Sequence, residues 1–330
     1  MIDQAVSALV QRAQLEGKHF ILISEVTRDQ LEVLFELASV VEPYSRSGLV
    51  LMNGRILASL FFEPSTRTRL STEAAMLRLG GSVISEATPL ISSAAAKEES
   101  LDDMLKVVSK YADVIVLRHF DAEAAMKAVA YAEVPVISAG FGSLTHPTQA
   151  LLDLYTLWRV LGRIEGLRVV IASADLLRAR TGHSLALALA KFGSKIIYAG
   201  PRELPPPSEV MDDLARADAD VELVYDSTRI QFEDLVASAD ALYLPGCRVP
   251  KGSEERELFH RIAPNYYISL EALQRAKQRG RHVYVMHCLP RFPGEMDLAI
   301  DGTDHELYFK QVAYGIPIRM ALLLALVGLQ

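Results

Sequence analysis

Short apolar runs that alternate with helical patterns constrain the fold of this chain more than any other feature of its sequence. The runs are near-continuous in β-branched and other apolar residues, which is typical of strands buried on both faces. The predicted strands are Ile56–Phe62, Val114–Leu117, Val134–Ser138, Val169–Ser173, Lys195–Ala199, Val221–Tyr225, Ala241–Leu244 and His282–Met286. Helical patterns between them lie at Thr66–Leu79, Leu101–Tyr111, Pro147–Leu161, Thr181–Phe192, Ser208–Ala217 and Gln231–Ala237. This alternation predicts an α/β protein built on doubly wound parallel sheets with helices on both faces.

The length of the chain and one long helix suggest how the sheets are divided. A chain of 330 residues is consistent with two domains. The long helix predicted at Pro147–Leu161 precedes the turn-like segment Gly162–Gly166, so we expect two parallel-sheet domains, 1–150 and 151–305, joined by this helix. The final segment, Gln311–Leu329, is more apolar than a surface helix requires. It is expected to form a C-terminal helix, near 306–330, that crosses back onto the first domain.

Charge and cysteine content narrow the class of protein. Lysine and arginine total 34 and aspartate and glutamate total 41, which gives a net charge of −7 and argues against a dedicated nucleic-acid binder. The two cysteines, Cys247 and Cys288, form neither a disulfide framework nor a zinc pattern and suit a reducing cytoplasm. The N-terminus lacks a secretory h-region, and the most apolar stretch, Met320–Leu329, is shorter than the roughly 20 residues of a bilayer span. We therefore expect a cytoplasmic protein with no nucleic-acid or membrane partner.

The residues that follow the predicted strands indicate an anion site. In open parallel sheets, ligands bind beyond the carboxyl ends of the strands. The residues at these ends are rich in arginine and histidine and poor in carboxylates suited to acid–base catalysis. They are Ser65–Thr68, Arg118, His119, His146, Asp175, Arg178, Arg180, Arg248 and His287–Arg291. This composition predicts a substrate with at least one phosphate or carboxylate group.

The segment after the first predicted strand has the features of a phosphate cradle. Pro64 ends the strand, and Ser65 is expected to act as the N-cap of the next helix. The first turn then combines free N–H groups with hydroxyls and a guanidinium, from Ser65, Thr66, Arg67 and Thr68. Taken alone, the segment also fits an ordinary capped helix in which Arg69 pairs with Glu73.

The rest of the same helix is predicted from its apolar periodicity. Leu70, Ala74 and Leu77 are spaced to form an apolar stripe facing the core. Gly80 and Gly81 are expected to end the helix.

Three long motifs make the sequence similar to a known family. They are F-x-E-P-S-T-R-T-R at Phe61–Arg69, H-P-T-Q-A-L-L-D-L-Y-T at His146–Thr156, and H-C-L-P-R at His287–Arg291. Together, and in this order, they resemble the aspartate/ornithine carbamoyltransferase family over roughly Leu57 to Leu326. Each motif has an ordinary structural interpretation on its own: His146 could simply cap a helix, and Arg118 with His119 could be solvated at the end of a strand.

The resemblance implies a binding site for carbamoyl phosphate in the first domain. It assigns the phosphate to Ser65, Thr66, Arg67 and Thr68. It implies further that Arg118 and His146 hydrogen-bond the carbamoyl oxygen and that Gln149 binds the carbamoyl NH2 group. The backbone carbonyls around Leu289 and Pro290 would accept from the carbamoyl group or from the attacking amine.

The loop 92–103 carries a further implication of the resemblance. By itself its Lys97-Glu98-Glu99 run is typical of a solvated loop. In the aspartate branch of the family, a serine and a lysine at this place reach into the active site of a neighbouring subunit, and Ser93 and Lys97 match their spacing. The resemblance thus implies a homotrimer with shared active sites, with further assembly on regulatory chains left open.

The identity of the acceptor depends on the second domain. In the aspartate branch, arginines in two motifs bind the acceptor, and Arg180 in R-T-G-H-S-L and Arg248 in R-V-P-K match them. The chain departs from that branch at Pro250, which replaces a glutamine, and at Ser173-Ala174-Asp175, which replaces G-D. Cys288 resembles the ornithine branch, but the S-M-G loop of that branch is absent from the sequence. Two arginines suit a dicarboxylate better than a cationic ornithine tail.

The resemblance therefore implies a transferase that moves the carbamoyl group of carbamoyl phosphate to L-aspartate, as in pyrimidine biosynthesis. Another amine acceptor, either ornithine-like or acidic, is the alternative. Arg67, Thr68, Arg118, His146 and Lys97 would be the catalytic residues, with Lys97, Arg180, Arg248 and Leu289 at the acceptor. Because carbamoyl phosphate is already activated, positioning and electrostatic stabilisation suffice, and we expect no cofactor and no metal ligands.

Two other classes compete with this interpretation. A nucleotide-dependent dehydrogenase fits the strand–helix pattern, but no G-x-G-x-x-G follows a predicted strand, and Gly140-Phe141-Gly142 lacks the third glycine. A carbamoyltransferase-like scaffold without catalytic activity is the second alternative, suggested by Ala174 and Pro250. An assay with carbamoyl phosphate and a panel of amines distinguishes these classes.

Overall fold

The fold consists of two compact units, each built on its own sheet. The computed structural model describes residues 2–89, 99–250 and 252–329. The first unit is Met1–Tyr155 with Val312–Gln330, and the second is Thr156–Gln311. The chain is an α/β protein with parallel sheets, as the sequence predicts.

The first unit contains a four-stranded parallel sheet with the order β2-β1-β3-β4. The strands are β1 (Ile56–Phe61), β2 (Ser82–Glu86), β3 (Val114–His119) and β4 (Val136–Phe141). The helices are α1 (Ile2–Ala13), α2 (Arg28–Val41), α3 (Thr66–Arg78), α4 (Leu101–Val108), α5 (Ala122–Val129) and the start of α6 (Pro147–Leu161). The strands β1, β3 and β4 are buried on both faces, so their amphipathic helices cover them from either side.

The second unit contains a five-stranded parallel sheet with the order β7-β6-β5-β8-β9. The strands are β5 (Arg168–Ala172), β6 (Lys195–Gly200), β7 (Val221–Tyr225), β8 (Ala241–Leu244) and β9 (Tyr284–His287). The helices are α7 (Arg180–Ala190), α8 (Ser208–Arg216), α9 (Arg229–Val236), α10 (Ser253–Ile262) and α11 (Leu270–Gln278). A large core forms where β5, β6, β8 and β9 meet Phe232, Leu273 and Tyr308.

A half-buried aspartate joins two neighbouring strands at the amino edge of each sheet. In the first unit, Asp113 lies just before β3 and accepts from the backbone N–H of Ile56 at 2.8 Å. In the second unit, Asp240 lies just before β8 and accepts from the backbone N–H of Arg168, also at 2.8 Å. Both carboxylates thus hold the first residue of one strand beside the neighbouring strand.

The strand β2 was not predicted, because it does not look like a buried strand in the sequence. It lies at the edge of the sheet, and its residues are exposed or half-buried. Helices α1, α2, α5, α10 and α11 were also not among the predicted helices.

The predicted apolar stripe of α3 is wrong. Leu70 is 50% exposed and Leu77 is 59% exposed, so neither faces the core. The buried face of the helix is instead polar at its start, with Thr68 and Thr72, and apolar only at Ala75 and Met76. The buried face of α3 is therefore polar near the N-terminus of the helix and apolar further along it. The end of the helix is as predicted, with Gly80 in the left-handed region at φ +81°.

The C-terminal helix predicted from the sequence is present. It is α12, Tyr308–Val327, and by length and composition it could cross a membrane, although 67% of its apolar window is buried in the fold. Burial of this extent is typical of the core helix of a globular domain. The part from Val312 onward belongs to the first unit.

Candidate active site

The N-terminus of α3 presents hydrogen-bond donors at the carboxyl edge of the first sheet. Ser65 occupies the N-cap position with extended backbone angles, φ −154° and ψ 104°. Its side chain makes no capping hydrogen bond within the described part of the chain, in contrast to the predicted N-cap role. The first-turn N–H groups of this 13-residue helix are therefore not satisfied by Ser65, and the positive end of the helix dipole favours an anion there.

The side chains of this turn complete the anion cradle. Thr66 and Arg67 are exposed to solvent, whereas Thr68 is only 5% exposed. Arg69, which follows, lies 3.9 Å from Glu73, and Glu73 also accepts from Ser59 at 2.8 Å. The helical ion pair between Arg69 and Glu73 is thus present, as the structural interpretation of this segment predicts.

Arg118 is held between three strands of the first sheet. It follows the buried part of β3, and its Nε lies 3.3 Å from a carboxylate oxygen of Glu63, in the turn after β1. Its Nη1 donates to the carbonyl oxygen of Ala139 on β4 at 3.2 Å. These contacts fix the guanidinium at the carboxyl edge, where the anion cradle of α3 also lies.

His146 and Gln149 lie at the N-terminus of α6 and are both buried. The hydroxyl of Thr148 lies 3.4 Å from His146 Nδ1. Gln149 donates from Nε2 to a carboxylate oxygen of Asp153 at 2.7 Å. This bond places the amide nitrogen of Gln149 on Asp153, so the amide oxygen is the atom of Gln149 that can accept from another donor.

Asp153 is a buried hydrogen-bond partner of Gln149 that the sequence analysis did not single out. It is fully buried and stands four residues after Gln149, which places both on one face of α6. The i,i+4 spacing was the available signal. Burial lowers the pKa of Arg319 to about 10, and the charge of Asp153 opposes that shift. Asp153 thus orients Gln149 and compensates the buried Arg319.

The Asp153→Asn substitution is expected to weaken both functions. The charge-assisted bond to Gln149 becomes a neutral one, so kcat/KM for carbamoyl phosphate should fall about tenfold. Arg319 would lose its counter-charge, so the free energy of unfolding should fall by about 3 kcal/mol. Adding Arg319→Met should restore stability in a denaturant titration but not kcat/KM. Recovery of both in the double variant would contradict the orienting role.

The loop after β5 positions Arg180 in the second unit. Asp175 accepts from the backbone N–H of Arg178 at 3.1 Å and from its Nη1 at 2.6 Å. Arg178 also donates to Glu255 of α10 at 2.9 Å, and these two carboxylates raise its pKa. Arg180 is then the first residue of α7, and it is half-buried. Asp175, one of the residues that replace the G-D of the aspartate branch, therefore forms a turn that is held by hydrogen bonds and an ion pair with Arg178.

The loop after β8 carries Arg248 and Pro250. Arg248 is exposed, while Cys247 before it is buried and packs with Ala174 and Phe259. Burial raises the pKa of the Cys247 thiol to about 12, so this cysteine is a packing residue and not a nucleophile. Pro250 is half-buried and offers neither a backbone N–H nor a side-chain amide.

The H-C-L-P loop after β9 is tied to the loop after β8. His287 accepts on Nδ1 from the backbone N–H of Leu289 at 2.8 Å, so its Nε2 carries the proton and donates to Glu295 at 3.0 Å. Glu295 also accepts from the backbone N–H groups of Cys247 and Phe292. Sequence reasoning missed Glu295, since no periodicity links it to either loop.

Leu289 has an unusual backbone conformation, with φ +56°. A non-glycine residue in the left-handed region is held there by its surroundings, here by the bond to His287. Cys288 is tied down as well, since its Sγ donates to the carbonyl oxygen of Pro245 at 2.8 Å. These contacts fix the backbone of Leu289 and Pro290 beside the loop that carries Arg248.

The structure thus places the predicted residues in two sets. The first set is at the carboxyl edge of β1, β3 and β4, and the second is at the carboxyl edge of β5, β8 and β9. The first comprises Ser65, Thr66, Arg67, Thr68, Arg118, His146 and Gln149; the second comprises Arg180, Arg248, Leu289 and Pro290. Ser93 and Lys97 lie outside the described residues.

Comparison with known proteins matches both halves of the chain to one family. The family model for the carbamoyl-phosphate binding domain of aspartate/ornithine carbamoyltransferases matches residues 18–159, and that for the Asp/Orn binding domain matches 165–326. The ureidoglycine carbamoyltransferase of Rubrobacter xylanophilus is 50% identical over 98% of this chain and 96% of its own length. The aspartate carbamoyltransferase catalytic subunit of Methanococcoides burtonii is 40% identical over 94% of this chain and 97% of its own.

Solved structures give the same result. The catalytic subunit of Methanocaldococcus jannaschii aspartate transcarbamoylase superposes with a TM-score of 0.81 at 39% identity, covering 94% of this chain and 99% of that one. Both halves of the chain and nearly its whole length therefore match one family. The chain belongs to the aspartate/ornithine carbamoyltransferase family and is a carbamoyltransferase.

Proposed function

We propose that this carbamoyltransferase transfers the carbamoyl group of carbamoyl phosphate to the α-amino group of ureidoglycine. Pro250 is the observation that carries the choice of acceptor. Where the aspartate branch has a glutamine, the chain presents a ring that cannot donate, beside Val249, which packs with Cys247 and Phe259. The 50% identity to a ureidoglycine carbamoyltransferase over nearly the whole chain supports the same acceptor.

The chemistry of the two acceptors explains why Pro250 matters. Both are α-amino acids with an α-carboxylate, but aspartate has a second carboxylate where ureidoglycine has a neutral ureido group. Removal of a hydrogen-bond donor weakens the binding of an anionic group more than that of a neutral group, because charge-assisted hydrogen bonds are stronger than neutral ones. One of Arg180 and Arg248 would bind the α-carboxylate, and the other would donate to the ureido oxygen.

Aspartate is the second candidate, and the two arginines favour it. Arg180 and Arg248 both match positions that bind the acceptor in the aspartate branch, and a pair of guanidinium groups suits a dicarboxylate. Transfer to aspartate would place the chain in pyrimidine biosynthesis.

The donor site is proposed to lie in the first unit. The N-terminus of α3 and Arg67 would hold the phosphate of carbamoyl phosphate, while Thr68, Arg118 and His146 would donate to its carbonyl oxygen. The amide oxygen of Gln149, oriented by Asp153, would accept from the carbamoyl NH2 group. The acceptor site would lie in the second unit, with backbone carbonyls around Leu289 and Pro290 accepting from the amine.

The proposed reaction requires no covalent enzyme intermediate. The acceptor amine attacks the carbonyl carbon, and negative charge develops on the oxygen that faces Arg118 and His146. The C–O bond to phosphate then breaks, and the proton of the amine passes to the departing phosphate. Charge stabilisation by fixed donors at this oxygen accounts for rate enhancement without an acid–base dyad.

An acceptor panel tests the proposed function. Ureidoglycine carries two nitrogens on one carbon and is labile, so the reverse reaction from its stable product, diureidoacetate, and phosphate should be measured as well. We expect kcat/KM for ureidoglycine to exceed that for aspartate and ornithine at least tenfold. A preference for aspartate would show that aspartate, the second candidate, is the acceptor. Inactivity with every amine would favour the alternative of a scaffold without catalytic activity.

We also propose a cytoplasmic homotrimer in which Ser93 and Lys97 of one subunit serve the active site of the next. The names of relatives such as the Methanococcoides burtonii catalytic subunit support an assembly. Light scattering should give three times the mass of a 36.4 kDa chain. Mixing inactive Arg67→Ala and Lys97→Ala proteins under subunit exchange should restore activity, because a mixed trimer contains one site with both residues. A monomer, or a mixture that stays inactive, would contradict shared sites.

A further inference from the structure

Glu295 joins the two loops that carry the proposed acceptor residues. Its side chain is 9% exposed. Oε1 accepts from the backbone N–H of Cys247, the residue before Arg248 in the loop after β8. Oε2 accepts from His287 Nε2 at 3.0 Å and from the backbone N–H of Phe292 at 2.6 Å, both in the segment that begins at the end of β9. One carboxylate therefore holds both loops.

His287 extends the reach of Glu295 to the backbone of Leu289. The imidazole is fully buried, and both of its nitrogens are used. Nδ1 accepts from the backbone N–H of Leu289 at 2.8 Å, so the proton of the neutral ring is on Nε2, which donates to Glu295. Leu289 has φ +56°, a conformation that a leucine keeps only when its surroundings hold it. The bonds from Glu295 through His287 therefore help to fix the Leu289 backbone.

The backbone of Glu295 is itself fixed to the core of the second unit. The N–H of Ile268 donates to the carbonyl oxygen of Glu295 at 3.4 Å, and the N–H of Asp297 donates to the carbonyl oxygen of Ile268 at 2.9 Å. Ile268 is fully buried among the core residues around β5, β6, β8 and β9. The carboxylate is therefore carried by a segment that the core holds in place.

The donors around Glu295 require two acceptor oxygens. The backbone N–H groups of Cys247 and Phe292 can only donate, and the bond from Leu289 makes His287 Nε2 a donor as well. Each carboxylate oxygen thus faces at least one donor. A glutamine at this position has the same shape, but its NH2 group would face an N–H group in either orientation of the amide. The Glu295→Gln substitution therefore removes an acceptor without creating a cavity.

We infer that Glu295 is a positioning residue for carbamoyl transfer, which sets the places of Arg248 and Leu289 without touching a substrate. This inference rests on the proposed function, because it takes Arg248 and the carbonyl of Leu289 as parts of the acceptor site. The side-chain hydrogen bonds of Glu295 all lie within the second unit. Its substitution should therefore weaken binding of the acceptor and spare binding of carbamoyl phosphate.

Steady-state kinetics of full-length Glu295→Gln test the role. We expect KM for the acceptor to rise at least about tenfold, because small displacements of positioning groups have large effects. KM for carbamoyl phosphate should stay within about twofold of the wild-type value, and kcat should change less than the acceptor KM. The acceptor in this assay is the amine with the highest kcat/KM for the wild type, so the test holds for ureidoglycine and for aspartate.

Glu233→Gln is the matched control. Glu233 on α9 is another well-buried carboxylate of the second unit, with a side chain 13% exposed. It accepts from Arg275 at 2.7 Å and from Ser269 at 3.2 Å. Its substitution should lower Tm, as that of Glu295 should, but leave both KM values unchanged. An equal rise of the acceptor KM in both variants would reduce the role of Glu295 to general stability of the second unit.

Amide hydrogen exchange gives a readout that does not depend on activity. The N–H groups of Cys247 and Leu289 should exchange faster in Glu295→Gln than in the wild type or in Glu233→Gln. Faster exchange with an unchanged acceptor KM would overturn the positioning role, and unchanged exchange would overturn the link between the loops. Inactivity of the wild type with every amine would refute the proposed function and this role with it, before any variant is compared.

Discussion

Arg67→Ala is expected to lower kcat about a thousandfold while leaving the fold intact. The side chain is exposed at the second position of α3, and alanine is a good helix former, so the helix itself should not weaken. The guanidinium would neutralise phosphate as the C–O bond breaks, an interaction that strengthens in the transition state. Loss of one such preorganised group typically costs a factor of 10² to 10³.

Arg69→Ala is the matched control for this experiment. Arg69 lies two residues further along the same helix, and its guanidinium is 3.9 Å from the carboxylate of Glu73. Its substitution by alanine therefore removes the same charge from the same turn. Its kcat should stay within about twofold of wild type, since surface ion pairs contribute little. Steady-state kinetics and Tm should be measured for both variants. A kcat for Arg67→Ala within tenfold of the wild-type value would contradict the proposal that the N-terminus of α3 binds the phosphate.

Pro250→Gln is expected to shift the acceptor preference toward aspartate by about ten- to a hundredfold in the ratio of kcat/KM values. The new amide can donate to a second carboxylate, and a charge-assisted hydrogen bond contributes about 1.5–3 kcal/mol. A neutral ureido group gains less from the same donor. The shift should appear mainly in KM for aspartate, since the donor binds ground state and transition state alike.

The control for the proline substitution is Pro205→Gln. Pro205 is another half-buried loop proline of the second unit, so it tests the general cost of losing a rigid residue. Its acceptor ratio should equal that of the wild type. If Pro250→Gln leaves the ratio unchanged as well, the acceptor is chosen elsewhere, and the assignment of Arg248 to the acceptor weakens with it.

The parallel-sheet architecture could be predicted from the sequence because parallel strands that are buried on both faces consist of continuous apolar runs. Val221–Tyr225 and Ala241–Leu244 have the predicted bounds. The edge strand β2 lacked this signal, since half of its pattern is polar and exposed. The exposed leucines of α3 show the opposite failure, because helical periodicity alone does not say which face meets the sheet.

Most residues of the proposed site could be predicted from the sequence, but the contacts that support them could not. Gln149 belongs to a quoted motif, and Arg118 follows a predicted strand. Glu63 and Asp153 also stand in the quoted motifs, but their contacts with Arg118 and Gln149, like those of Glu295, are visible only in the fold. Glu295 is 48 residues from its backbone partner Cys247. Spacing on one helix could have revealed Asp153, but no local pattern encodes a contact between two loops.

Asp113 and Asp240 fasten both sheets at the edge opposite their ligand-binding residues. In the first sheet β1 and β3, and in the second sheet β5 and β8, are therefore held together at their first residues. We expect any adjustment to a ligand at the other end of these strands. Amide hydrogen exchange would show this polarity as a gradient along single strands, slow at Ile56 and Arg168 and faster toward the loops. If the amino ends of the strands are held in this way, substitutions in the loops at the carboxyl edge, such as the proline at position 250, would change the proposed acceptor without disturbing the sheet.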